Sequence, residues 1–432
     1  MRRGRGTSAS VRRVADELAA ELVTAVRREA GAGRGGGAAV AERRSSPFAG
    51  RSWYDFALEY MDVRWRQTAA KTRCEDNEGL CALTLAMIRG RTLRPDEELL
   101  RRALRLRAFV VPRPADREVP GEEQMALRWV ARATRPMDDL LDPEVMRGVI
   151  RSLSVRADGS AVPGSTQRHC KKTLVNAVGY AFGGGGAGDD LIPEIRWQVP
   201  TDDEEVDPRV LVNPGQARSL LDALSYVGLY GRARGRRLVG FFAGMYYAGL
   251  RPEEAVAVKY QDCVLPAHGW GRFVLHETRP QAGKRYTDSG RNHDERGLKS
   301  RRRGAVRVVP LPPQLVTIWR QSVDTFGTAA DGRMFFTERG RVLGSSGYCT
   351  TLRDARILAL PPDLVESPLV ARAYDLRHSA LSTWLNAGVD PTEVAERAGN
   401  TVETLLRTYA KCLYGRQTVA NDRIDKFLGD YE

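Results

Sequence analysis

The 432-residue chain contains no run of 18 apolar residues, so no segment of it reads as a bilayer-spanning helix. Its basic start, MRRGRGTSASVRR, leads into no apolar stretch and gives no sign of a secretory leader. The six cysteines, at 74, 81, 170, 263, 349 and 412, form neither CxxC pairs nor a Cys/His zinc spacing, and they read as reduced core thiols. Carboxylates and histidines nowhere gather at ligand spacing, so neither a metal nor another cofactor is expected. GGGGAG at 183–188 lacks the GKS or GKT ending of a phosphate-cradling loop and reads as a linker. A membrane channel, a secreted disulfide scaffold, a zinc finger and a P-loop enzyme all fit this chain badly. The expectation is a soluble, cytoplasmic protein without a membrane partner.

Positive charge is what the chain has in excess. Its 67 Lys and Arg against 54 Asp and Glu give a net charge of +13, which points to a polyanionic partner but by itself concerns steering and non-specific binding. The length suggests two or three domains. Within residues 1–49, Val11, Val14, Leu18, Leu22 and Val26 fall near helical spacing, and GAGRGGG then stops the pattern, leaving one basic helix on a flexible tether. Residues 50–200 carry helical signals without a period-2 strand and read as a helical domain. In 201–432, Asn213-Pro214 is a helix start. GRFVLHET and GAVRVVPLP there read as two strands flanking a long basic excursion. Helices are expected to begin near Pro313, Ser345, Asp375, Pro391, Thr401 and Thr418. The expected fold is therefore mainly α with a small antiparallel sheet.

Five positions in this last region look like parts of one phosphoryl-transfer site: Arg251 in AGLRPEEA, Lys299 in RGLKSRRRG, Arg377 in YDLRHS, Asn400 in RAGN and Tyr409 in LLRTYAKC. Gly249 should end one helix and Pro252 open the next, leaving Arg251 extended at the joint. A guanidinium stays charged at biological pH and can fork two phosphate oxygens, which suits the charge that builds on phosphorus during attack. Any single arginine among so many is more often a solvated surface group. Val402, Leu405, Leu406 and Tyr409 share one helical face, on which a tyrosine is an ordinary core residue. A nucleophilic role would require cations or a proton acceptor nearby, because a phenol ionises near pH 10.

Taken in order, Arg251 with Glu254 three residues on, Lys299 between two strands, the YDLR box, Gly399-Asn400 and Tyr409 nine residues later resemble the catalytic domain of the tyrosine recombinases, or phage integrases. AGLRPEEAVAV, YDLRHSALSTWLNAGV and LLRTYAKC look like the integrases of actinobacterial phages and mobile elements. SWYDFALEYMDVRWRQTAAKTR and STQRHCKKTLVNAVGYA are similar to the helical core-binding domain of those proteins, so the likeness covers residues 50 to 430.

The resemblance implies that Arg251 and Arg377 clamp the scissile phosphate, that Lys299 protonates the departing 5′ oxygen, and that Tyr409 becomes joined to the 3′ phosphate. Two positions depart from the common pattern: Tyr374 stands where the family usually has histidine, and Asn400 where it has histidine or tryptophan. Both can donate a hydrogen bond to phosphate, and neither is a base at neutral pH. His378, next to Arg377, is expected to point about 100° away and to serve the scaffold, with catalysis as the alternative reading. Phosphate contacts are expected from Lys71, Arg73, Arg168, Lys171 and Lys172, and from Arg301, Arg302 and Arg303. The implied partners are double-stranded DNA attachment sites, a homotetramer formed on DNA by a chain that is monomeric when free, and a directionality factor. The implied location is the nucleoid. A topoisomerase-like relaxer using the same chemistry, and a DNA-binding relic without catalysis, remain open on these residues.

Overall fold

The computed structural model describes residues 48, 50–89, 92–156, 158–182, 197–200, 205–228, 233–298, 302, 304–412 and 416–429. The expected N-terminal helix lies outside the described residues, as do Lys299, Arg301 and Arg303. Among the described residues no helix is long and apolar enough to cross a membrane.

The architecture is mainly helical with one small antiparallel sheet. The first helices are α1 (Trp53–Gln67), α2 (Ala70–Ala86), α3 (Glu97–Ala103), α4 (Gly121–Ala133), α5 (Pro143–Ser154) and α6 (Gly164–Phe182). Ser52 caps α1 by accepting from the Asp55 amide, and Asp142 caps α5 ahead of a proline in its first turn. Trp53, Phe56, Tyr60, Leu80, Leu174 and Val178 lie in their common core. On α6, Val175 turns outward, 40% exposed, and Ala177 takes the inner position. The cause is phase: the buried set is Leu174, Ala177, Val178 and Ala181, spaced by three and four residues.

The later elements are α7 (Pro214–Leu224), α8 (Val239–Tyr247), α9 (Pro252–Ala255), β1 (Cys263–Val264), β2 (Gly271–Leu275), β3 (Arg307–Leu311), α10 (Pro313–Phe326), α11 (Ser345–Ala359) and α12 (Pro362–Val365). They continue with α13 (Tyr374–Asn386), α14 (Pro391–Ala398), α15 (Val402–Tyr409) and α16 (Arg416–Gly429). VGFFAGMYY is apolar on every side, and α8 is accordingly the central helix, with Trp319 of α10 and Phe335 packed on it. Trp319 also donates from Nε1 to the Gly240 carbonyl at 2.9 Å. The sheet runs β1-β2-β3, every pair antiparallel, with Phe273 opposite Val309 and Leu275 opposite Arg307. Strand β1 carries only two residues, too short to show the alternation on which a sequence reading relies. A third core, around Leu381, Leu385, Val394 and Leu405, joins α13, α14 and α15.

The excursion between β2 and β3 returns to the first helices. Tyr286 buries its ring beside Trp65, with 6.0 Å between ring centres, inside the core of the first helical group.

Candidate active site

Backbone geometry first brings the pieces together. Gly249, at φ +59°, turns the chain out of α8, and Arg251 follows in extended conformation before Pro252 opens α9. Gly399, at φ +65°, ends α14 in the left-handed region and leads directly to Asn400. Arg377 lies in the first turn of α13, where it is 1% exposed.

Glu254 is the hub. It is 2% exposed, and its carboxylate accepts from Arg251 Nη1 at 2.7 Å and from Arg307 Nη1 and Nη2 at 3.0 and 2.7 Å. Arg377 Nη1 lies 3.8 Å away, and the Arg251 amide donates to the same carboxylate at 2.9 Å. Burial alone would raise the pKa of this acid, but Arg307, Arg377 and Arg251 overcome it and hold it down at about 2. Three guanidinium groups thus face one carboxylate, and the excess charge is positive.

The opposite wall is made by the end of α14. Arg251 Nη2 donates to the Gly399 carbonyl at 3.1 Å and to Asn400 Oδ1 at 2.7 Å. Arg377 Nη2 donates to the Ala398 carbonyl at 2.8 Å and to Asn400 Oδ1 at 3.2 Å, while its Nη1 donates to the Gly249 carbonyl. Asn400 therefore spends its oxygen orienting both arginines and leaves its amide N–H groups as the remaining donors. Tyr374 stacks one face toward the Arg377 guanidinium, 6.0 Å from its ring centre.

Tyr409 is 2% exposed in the third core. Its pKa is pushed above the ordinary phenol value: burial raises it, and the opposing pull of Arg377 is weaker. Desolvation outweighs the pull of the nearby cations, so the phenol holds its proton. Its hydroxyl lies 2.8 Å from His378 Nδ1. His378 does turn away from Arg377, as expected for the next residue of a helix, but α15 packs on that side and meets it. The contact places the imidazole against the Tyr409 hydroxyl.

The structure thus brings together Arg251, Tyr374, Arg377, Asn400 and Tyr409, separated by up to 158 positions in the chain. Arg307 was missed. Its signal was legible: in β3, Arg307, Val309 and Leu311 alternate inward while Val308 points outward, so a charged residue occupies a core-facing position.

The expected phosphate-contacting residues divide. Lys71, Arg168, Lys172 and Arg302 are exposed, although Arg168 also donates to the Pro200 carbonyl at 3.1 Å. Lys171 donates to the Trp197 carbonyl at 2.8 Å. Arg73 differs most from the expectation. It is 6% exposed, donates to the Thr68 and Tyr286 carbonyls at 2.9 Å each, and pairs with Asp288 at 2.6 Å. The excursion between β2 and β3 occupies it, a contact 215 residues away in sequence that no local pattern reveals. His293, in the same excursion, is buried, and burial lowers its pKa. Among the described residues no group of three His, Cys, Asp or Glu side chains is placed to hold a metal ion.

No family model matches the sequence, and no curated protein matches it either. Solved structures do. The integrase of transposon Tn1549, in complex with circular intermediate DNA, is 16% identical, with 72% of this chain and 96% of that chain covered at a TM-score of 0.47. The XerH site-specific recombinase bound to palindromic difH substrate is 11% identical, with coverage of 82% and 96% and a TM-score of 0.44. The catalytic domain of bacteriophage HP1 integrase is 16% identical over 49% of this chain and 94% of its own, with a TM-score of 0.30.

Proposed function

We propose that this chain is a site-specific DNA recombinase of the tyrosine class, which cleaves and rejoins strands through a 3′-phosphotyrosine and so integrates or excises a mobile element. The observation that carries the reading is the convergence of Arg251 and Arg377 on Asn400 Oδ1, beside a buried Tyr409. Fixed guanidinium groups with an excess of positive charge suit a phosphodiester whose negative charge grows during attack. In this reading Arg251 and Arg377 bind the non-bridging oxygens, and Tyr374 and Asn400 contribute donors. Lys299 protonates the departing 5′ oxygen. Residues 50–200 and 201–432 form the two halves of a DNA clamp, with Lys71, Lys172 and Arg301 to Arg303 against phosphates. Two duplexes held by four copies would give strand exchange, and a directionality factor would bias it. The phosphotyrosine retains the energy of the broken bond, which lets the reaction run in both directions.

The test uses nicked duplex oligonucleotides tiling the DNA that flanks the gene. The wild-type chain should form a denaturation-resistant adduct, and Tyr409→Phe should bind the same duplex without forming it. Lys299→Ala should cleave poorly, yet recover when a bridging 5′ sulfur removes the need for a proton. An adduct that persists in Tyr409→Phe would assign the nucleophile elsewhere. Joint molecules from two duplexes separate recombination from simple relaxation, and a wild-type chain that binds without any adduct would be a DNA-binding protein only.

A further inference from the structure

A phenol that attacks phosphorus must give up its proton, and the side chains that replace the usual imidazoles cannot take it. Tyr374 and Asn400 are not bases at neutral pH. Asn400 Oδ1 is moreover engaged by two arginines. His378 is placed otherwise. Its Nδ1 is 2.8 Å from Tyr409 Oη, within the range for direct proton transfer, and no other hydrogen bond of that hydroxyl occurs among the described residues. Helix α13 aims Arg377 at one wall and its neighbour His378 at the next, so a single turn serves both the phosphate clamp and the nucleophile.

We propose that His378 accepts the proton of Tyr409 during strand cleavage and returns it during rejoining, an inference that rests on the strand-transfer reading above. In cleavage, Tyr409 Oη bonds to phosphorus while the bond from phosphorus to the 5′ oxygen breaks. The phenolic proton moves to His378 Nδ1, and the departing 5′ oxygen takes a separate proton from Lys299. In rejoining, the 5′ hydroxyl attacks phosphorus and its proton goes back to the lysine. Tyr409 then leaves with the proton held by His378.

The surroundings of His378 explain when this happens. Tyr409 faces it from α15, Tyr374 from its own helix at 4.9 Å between ring centres, and Arg377 and Arg372 supply positive charge. Burial, then Arg377 and Arg372, lower its pKa to about 4, so the resting imidazole is neutral and has a lone pair to offer. The Tyr409 phenol is neutral as well, and the pair rests without transferring charge. A phosphodiester between the arginines would bring negative charge beside them and raise the basicity of His378. The base would then be strengthened by the substrate it serves.

The experiment compares wild-type and His378→Asn in single-turnover cleavage of the nicked duplexes across pH 5 to 9. Asparagine keeps an acceptor near the position of Nδ1 but has no proton affinity. Binding should stay within a few-fold, and cleavage should fall by roughly a hundred- to ten-thousandfold. The wild-type rate should show an acidic limb that the variant lacks. A second measurement needs no DNA: ¹⁵N shifts of the five histidines in the full chain at pH 7 should show His378 with Nδ1 unprotonated and Nε2 protonated, and Nδ1 should move in Tyr409→Phe. His378→Asn cleaving within threefold of wild-type, or a protonated Nδ1 at pH 7, would overturn the inference while leaving strand transfer intact. A wild-type chain without any adduct would remove both.

Discussion

Glu254 illustrates how much a single buried charge can organise. A carboxylate with 2% exposure is tolerated because three guanidinium groups surround it, and its charge in turn offsets their mutual repulsion. Glu254→Gln keeps the shape and removes that charge, so it should destabilise the chain by about 3–5 kcal/mol, the usual cost of leaving buried charge unpaired. The pH dependence has a definite sign. The folded pKa of about 2 lies below the ordinary glutamate value of 4.5, so the stabilisation is complete above about pH 4.5 and is lost as pH falls towards 2. His378 adds a second window: it is held neutral with a pKa of about 4 against an ordinary 6.5, so stability also drains as pH falls from 6.5 to 4. Thermal melts from pH 7 to 2 should therefore show two steps of decline in wild-type. Glu254→Gln should shrink the lower one, to which Asp331 with its own pKa of about 2 also contributes, and an unchanged lower step would deny the Glu254 carboxylate its role.

At the scale of elements, the end of α14 is built to close tolerance. A Cβ at Gly399 would overlap Arg307 Nη1, and the residue also sits at φ +65°. Gly340 has a similar φ of +72° with nothing within 4 Å, so it isolates the backbone cost. Gly340→Ala should cost only about 1–2 kcal/mol, the left-handed penalty for an L-residue. Gly399→Ala should cost clearly more, because Arg307 must leave Glu254 and the Ala398 carbonyl. It should also slow cleavage, since Arg251 and Arg377 bind the same turn. Denaturation midpoints of the two variants side by side decide the matter, and equal losses would show that the close approach has no energetic weight.

Across the whole molecule, the excursion between β2 and β3 ties the first helical group to the later elements. Tyr286 enters the first core, and Arg73, lying 5.1 Å over Trp65, clasps the excursion through Asp288 and the Tyr286 carbonyl. Arg73→Ala should lower the melting temperature by removing a buried charged donor from two carbonyls and Asp288. It should leave the salt dependence of duplex binding unchanged. A phosphate-contacting arginine would instead reduce the slope of log K against log salt by about one. A slope reduced by that amount would return Arg73 to the DNA-facing set.

The sequence by itself determined the helical character of the chain, the two longer strands and the joint at Arg251. Each of these rests on local rules: apolar spacing, caps and proline at a helix start. It also marked five of the residues that converge, through their order along the chain. Tertiary structure alone decided which partners they meet. Arg307 joins the site because strand pairing sets the inward face of β3, His378 meets Tyr409 because α15 packs beside it, and the donors of Arg73 are taken by a distant loop. Tyr409 is protonated at rest for the same reason: desolvation depends on what surrounds the phenol, which no spacing in the sequence encodes.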